Sequence, residues 1–189
     1  WKKSEVEKAG ITHPVVLGAF SRILREEGYK NIVLADSCGH GTTKQVIQGT
    51  GMDTYLEKYQ IPAIDYTKGV RVENPDGVQA KEFILPKELL EAECVISLSK
   101  MKTHALERIT GAVKNSYGFV YGKNKAIGHT KYPSADSFAR MLIDLNQYVN
   151  EDGEADGEGQ IGHVSGDKKY LVDETNHTVE TLSGTVSDV

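Results

Sequence analysis

The sequence predicts an α/β fold: a mostly parallel sheet with flanking helices, an inserted β-hairpin and a short C-terminal β appendage. Three observations carry this expectation. "NIVLAD" at 31–36 and "CVISLS" at 94–99 are short, continuously apolar runs, as in strands covered on both faces. Amphipathic helical periodicity precedes the first run and follows the second, and strands alternating with helices favour a parallel sheet with helices on its faces. Between the runs, "GVRVENPDGVQAKEFIL" at 69–85 alternates on both sides of Asn74-Pro75-Asp76-Gly77, a hairpin signal.

The elements are expected in this order. A helix runs over 14–27. Pro14 suits its first turn, Gly28 stops it, and Val15, Val16, Ala19, Phe20, Ile23 and Leu24 recur on one face. The strand at 31–36 ends in Asp36, and the glycine loop "SCGHGTT" leads into a helix beginning near Thr42. One or two helical turns at 54–59 precede a second strand, "IPAIDY". After the hairpin come a short helix at 86–92 and the strand at 94–99. Ser134 is placed to cap a helix over 136–148, whose stripe is Phe138, Met141, Leu142, Leu145 and Tyr148.

Composition changes after Asn150. "EDGEADGEGQIG" carries five acidic residues and four glycines in twelve positions, as linkers do. The last stretch, "KKYLVDETNHTVETLSGTVSDV", reads as a hairpin around Thr175-Asn176, too short to hold a core by itself. The expected division is an α/β anion-binding domain at 1–149 and an acidic, Gly-rich linker with a β-hairpin appendage at 150–189.

The totals exclude several function classes. At 189 residues and net charge −5, the chain is acidic, whereas nucleic-acid and anionic-membrane binders tend to be basic. No run approaches the length of a membrane-spanning helix. The two cysteines, Cys38 and Cys94, form no C-x-x-C, so no self-contained zinc ribbon or iron–sulfur site is expected. A reduced, cytoplasmic protein is expected, with no cofactor named by the residues.

Against that acidic total, the segment 100–131 holds six lysines and one arginine against one acid, Glu107. It begins just past a buried strand, in "SLSKMKTH". Lys100, Lys102 and His104 alternate, so in extended chain they share a side. Lys114 and Asn115 add a charge and an amide. Interleaved glycines and aromatics suit a loop folded over a bound anion better than a solvated face. The expected proton-carrying groups are His104, Lys102 and Lys114. The expected ligand-binding residues are Asp36, Gly39, Gly41, Thr42, Lys100, Thr103, Asn115 and His129. The glycine loop before a helix N-terminus offers backbone N–H groups to an anion, although it lacks both the P-loop and a complete dinucleotide fingerprint. A helix N-terminus at Cys38 would lower its thiol pKa, against the plainer reading of a bystander. A metal held by His40, His104 and His129 finds no support in local spacing, and no G-x-S-x-G is present. Crowded cations predict lowered proton affinity at Lys102 and His104.

The segment "ISLSKMKTHALERITGAVKNSYGFVYGKNKAIGH" resembles the uncharacterised family catalogued as domain of unknown function 362, whose pattern is IN-x-P-K-x-K-T-H followed by T-G-x-x-K-N-x-x-G. Lys100, Lys102, Thr103, His104, Thr110, Gly111, Lys114, Asn115 and Gly118 match it, and Ser99 replaces the usual proline. The resemblance covers 11–148. Members of that family often carry ferredoxin-type iron–sulfur segments, absent here. Their D-G-I and E-G-x-G-P have only a degenerate echo in "EDGEADGEGQIG". The resemblance implies a fold and a site rather than a reaction. The expected function is binding of a small anion, carboxylate or phosphate, by an enzyme of unknown reaction. A non-catalytic anion-binding module and a scaffold whose basic loop docks an acidic redox partner, such as a ferredoxin, are the alternatives.

Overall fold

The apolar run at 31–36 forms strand β1 (Asn31–Ala35), and its side chains alternate between two cores. Ile32 and Leu34 join Leu17, Leu24, Met52 and Leu56 on one side. Val33 and Ala35 join Phe138, Met141, Leu142 and Leu145 on the other. A strand covered on both faces has no polar side to show, so its sequence is continuously apolar. The computed structural model describes residues 6–8, 10–38, 41–104, 107–151 and 169–173.

Helix α1 (Pro14–Glu26) precedes β1; α2 (Thr43–Ile47), α3 (Met52–Lys58) and β2 (Ala63–Ile64) follow it. The hairpin strands β3 (Gly69–Glu73) and β4 (Glu82–Pro86) lead through α4 (Lys87–Leu90) to β5 (Cys94–Ser97). Next come β6 (Lys102–His104), β7 (Arg108–Thr110), α5 (Ala112–Asn115), a 3-10 turn (Ser116–Phe119), α6 (Asn124–Lys131), α7 (Ala135–Glu151) and β8 (Lys169–Asp173). Helices and strands are mixed, as expected. Among the described residues, half of the strands form one parallel sheet, in the order β2-β1-β8-β5, and half form two antiparallel ribbons, β3-β4 and β6-β7.

One expectation is refined and one corrected. The expected C-terminal appendage supplies an inner strand of the main sheet, because β8 lies between β1 and β5 and pairs with both in parallel. An apolar strand gains ladder bonds on both sides there, whereas at an edge it would leave a row of backbone groups unpaired. The second half of the expected C-terminal hairpin lies outside the described residues. The α1 face is also turned. Val15, Val16 and Ile23 are exposed, and the buried stripe is Pro14, Leu17, Gly18, Ser21 and Leu24. Gly18 explains this, since a Cβ there would lie 2.2 Å from the Tyr55 ring of α3. Small residues face α3, and the helices approach closely.

The inserted hairpin forms as expected, with Glu73 opposite Glu82 and Gly69 opposite Pro86. Its connection, 74–81, is fastened to α7. The buried Asp144 carboxylate accepts the N–H groups of Val78, Gln79 and Ala80 at 2.9, 2.6 and 2.6 Å. Helix α7 begins where expected, with Ser134 and Ser137 exchanging side-chain and backbone hydrogen bonds. The sheet fixes the direction of everything that follows. Ala35 and Ser97 are both register partners of Asp173, so β1, β8 and β5 end along one edge.

Candidate functional site

Asp36 follows β1 at that edge and is 2% exposed. Burial raises its carboxyl above the usual range, and Lys125 and Lys102 pull the other way. The Ser37 amide also favours the charged form, but no donor among the described residues reaches either carboxylate oxygen with hydrogen-bonding geometry. Lys102 of β6 donates instead to the carbonyl of Gly10 at 2.9 Å, and Lys125 of α6 to that of Ser37 at 3.2 Å.

The β6-β7 ribbon is a product of alternation. Lys102 and His104 are half-buried, while Thr103 between them is exposed opposite Ile109. Lys102 and His104 are thus partly covered, while Met101, Thr103, Arg108 and Ile109 are left toward solvent. Buried Thr110 donates its hydroxyl to the Lys102 carbonyl at 3.3 Å. His104 Nδ1 accepts the Glu107 N–H at 3.1 Å. In the neutral ring the proton therefore sits on Nε2.

Helix α5 brings Lys114 and Asn115 beside this ribbon. Asn115 is buried and donates to Ser97 Oγ at 2.9 Å, which ties the helix to the end of β5. Ser116 Oγ and Asn146 Oδ1, 2.7 Å apart, fasten the next turn to α7. Helix α6 brings His129 and Lys125, one turn apart and so on one face. His129 stacks on Phe138, with ring centroids 4.6 Å apart and planes 5° from parallel, and meets Tyr117 edge-on at 5.3 Å. The Tyr117 hydroxyl donates to the Lys125 carbonyl. A Cβ at Gly128 would stand 2.1 Å from that hydroxyl, so only glycine lets α6 settle there. Burial raises the Tyr117 hydroxyl's pKa far above its ordinary value, so it is a donor and not a base.

The electrostatics join these groups. Lys102 is lowered by burial and by Lys100, and Asp36 opposes the shift. Lys114 is lowered by burial, Lys102 and Lys125, with Glu107 opposing. His104 is lowered by burial, then by Lys114, His129 and Lys102, and His129 by burial and Lys114. The expected directions at Lys102 and His104 therefore appear, but burial leads and crowding is secondary. Besides Glu107 within the segment, Asp36 follows β1 and acts on Lys102 from there.

The structure gathers Asp36, Lys100, Lys102, His104, Lys114 and His129 into one mutually acting set, with Asn115 fastened beside it. Thr103 and Thr42 are exposed. Thr42 caps α2: its hydroxyl accepts the Gln45 N–H, and the Gln45 side chain accepts the Thr42 N–H. The Thr43 N–H goes to Asp65 at 2.6 Å. The α2 N-terminus therefore spends these donors on its own protein. Gly41 has φ +76°, and a Cβ there would lie 2.7 Å from Gln45 Oε1. Its glycine serves the cap. Gly39 and His40 lie outside the described residues, and with them the three-histidine arrangement. Among the described residues, no three His, Cys, Asp or Glu side chains converge as a metal site. The helix N-terminus does not activate Cys38, whose thiol is pushed up by burial first. Lys125 is the residue that the sequence reading missed. Its signal was the four-residue spacing to His129, legible only once 124–131 is recognised as a helix.

Among the described residues, no helix is long and apolar enough to cross a membrane. No solved structure matches the chain. The chain is similar to the "Thylakoid-associated protein sll1697" of Synechocystis sp., being 32% identical over 143 residues, 75% of this chain and 44% of that protein. It thus spans less than half the length of that relative. The family model described as "Domain of unknown function (DUF362)" matches residues 1–168. By that match, which agrees with the resemblance carried by Lys-x-Lys-Thr-His and Lys-Asn, the chain belongs to the DUF362 family.

Proposed function

We propose that this domain binds a small anion, a carboxylate or phosphate, at the sheet edge where Asp36, Lys102, His104, Lys114, Lys125 and His129 meet. One observation carries the reading. Lys102 and Lys114 are partly buried ammonium groups with lowered proton affinity, and each is crowded by further lysines. A bound anion would offset this repulsion, and an unoccupied cluster of like charges disfavours its own ionised forms. Position supports it too, since ligands of parallel sheets bind beyond the carboxyl ends of the strands.

A lysine whose proton affinity is shifted down toward neutral pH, as at Lys102, suits general acid–base chemistry. Lys102 Nζ and His104 Nε2 are the proton carriers in an enzymatic version of this reading. The scaffold alternative draws on Met101, Ile109, Val113 and Ile127, all exposed within the cationic segment. A cytoplasmic setting stays a proposal, resting on the free thiols of Cys38 and Cys94. Calorimetric titration of the chain with phosphate and with acetate tests the anion site. Dissociation constants of millimolar or tighter support it. No heat, together with His104 ring resonances unmoved by either anion, refutes it and leaves the scaffold reading.

A further inference from the structure

Asp36 places a carboxyl group inside this cationic set, and among the described residues no donor reaches either of its oxygens with hydrogen-bonding geometry. It is 2% exposed. Lys125 and Lys102, two of the cations that act on it electrostatically, are bonded to the carbonyls of Ser37 and Gly10. A buried acceptor left unmatched is destabilising by about 1–3 kcal/mol, more when charged, and such groups are few in native proteins. The ordinary structural roles are filled by others. Thr42 caps α2, and Asp65 takes the Thr43 amide. No metal-ligating group of three side chains forms among the described residues. What fits Asp36 is a donor that arrives with the ligand. An ammonium donor would meet Lys102 and Lys125 as like charges; a hydroxyl meets no such opposition.

We infer that Asp36 makes this site select an anion that carries its own O–H group, such as hydrogen phosphate or a hydroxy-substituted carboxylate, over an anion of similar shape without one. The inference rests on the anion-site reading above and narrows its ligand class. The lysines take the negative oxygens. Asp36 accepts the hydroxyl hydrogen. A fully ionised oxyanion would set lone pairs against lone pairs at Asp36, whereas hydrogen phosphate supplies the missing hydrogen.

Sulfate and phosphate test this, because they share size and shape and only phosphate keeps a proton near neutral pH. Glycolate and acetate form the carboxylate pair. Titrated against the full 189-residue chain, phosphate is expected to bind about 100-fold more tightly than sulfate, or glycolate about 10-fold more tightly than acetate. Whichever pair shows the preference names the ligand chemistry. In Asp36→Asn the amide can donate to a bare oxyanion, so the preferred pair should fall to within about threefold. Equal binding within both wild-type pairs, or a preference unchanged in Asp36→Asn, overturns the Asp36 inference and leaves the anion site standing. Failure of all four anions to bind at concentrations on the order of 10 mM overturns both. If Asp36→Asn does not fold, the wild-type ratios decide alone.

Discussion

At Lys102 a half-buried ammonium meets Lys100, two residues before it, and Asp36 across the sheet edge. Replacing it by methionine keeps the aliphatic stem and removes the charge. Lys102→Met should weaken phosphate binding by roughly 10- to 100-fold, the range of a charged hydrogen bond, while melting within a few degrees of wild type, about 1 kcal/mol. Calorimetry and thermal denaturation measure the two effects; unchanged affinity removes Lys102 from the site. His104 gives a pH signature. Its proton affinity is lowered from the ordinary 6.5, so the folded chain binds fewer protons than the unfolded chain in the window below that value. Its contribution to stability is complete above that window and is lost as pH falls through it. Anion binding offsets the repulsion from Lys114, His129 and Lys102, so His104 takes up a proton. Affinity for acetate, whose own charge changes little there, should then rise as pH falls through the same window. Titrations in buffers of unequal ionisation enthalpy would detect the uptake, and its absence would mean that His104 does not feel the ligand. Lys102, His104 and Lys114 were legible in the sequence because they are close along the chain. A common site for Asp36 and this segment was expected too, whereas the placing of Lys125 was not, since only α6 brings it there.

Helix α7 does more than cover one face of the sheet. Its Asp144 holds three successive amides of the hairpin connection. Asp144→Ala strips all three of their acceptor, and hydrogen bonds to a charged group are worth about 1.5–3 kcal/mol each before relaxation and water recover part. A loss of about 3 kcal/mol or more is expected in urea denaturation; a loss below about 1 kcal/mol would mean that the loop finds other acceptors. Helices α1 and α3 meet through Gly18 and Tyr55. Gly18→Ala should destabilise by about 1–3 kcal/mol through overpacking, and Tyr55→Leu should rescue part of that loss in the double variant. Element by element, the sequence was readable where an apolar stripe or run existed, as in α7, β1 and the β3-β4 hairpin. It misled at α1, whose packed face is small rather than bulky. It was silent at α6, which buries no residue and so carries no stripe, and at β6 and β7, each of three residues.

At the scale of the whole molecule the sheet depends on a strand remote in sequence. With β8 removed, β1 and β5 lose the partner that joins them, because each pairs with β8 and not with the other. A chain ending at residue 168 should therefore fail to unfold cooperatively in urea, even though it retains every residue of the proposed site. A sharp transition in that shortened chain would show that 1–149 stands alone as a domain and that β8 is dispensable. The sequence marked "YLVD" as strand-forming but could not say where it inserts, because parallel pairing is decided by contacts far apart along the chain. The order of synthesis gives the inserted strand another meaning. As the polypeptide leaves the ribosome, β1 and β5 emerge long before the residues that will lie between them. Their facing backbone groups stay unpaired until residue 173 has been made, and paired positions such as Asn31 and Lys169 are separated by most of the chain. Such pairing is slow to find, and unpaired strand edges in the waiting intermediate invite strands from other chains. The nascent protein passes through an interval of aggregation risk, and the arrival of β8 ends it.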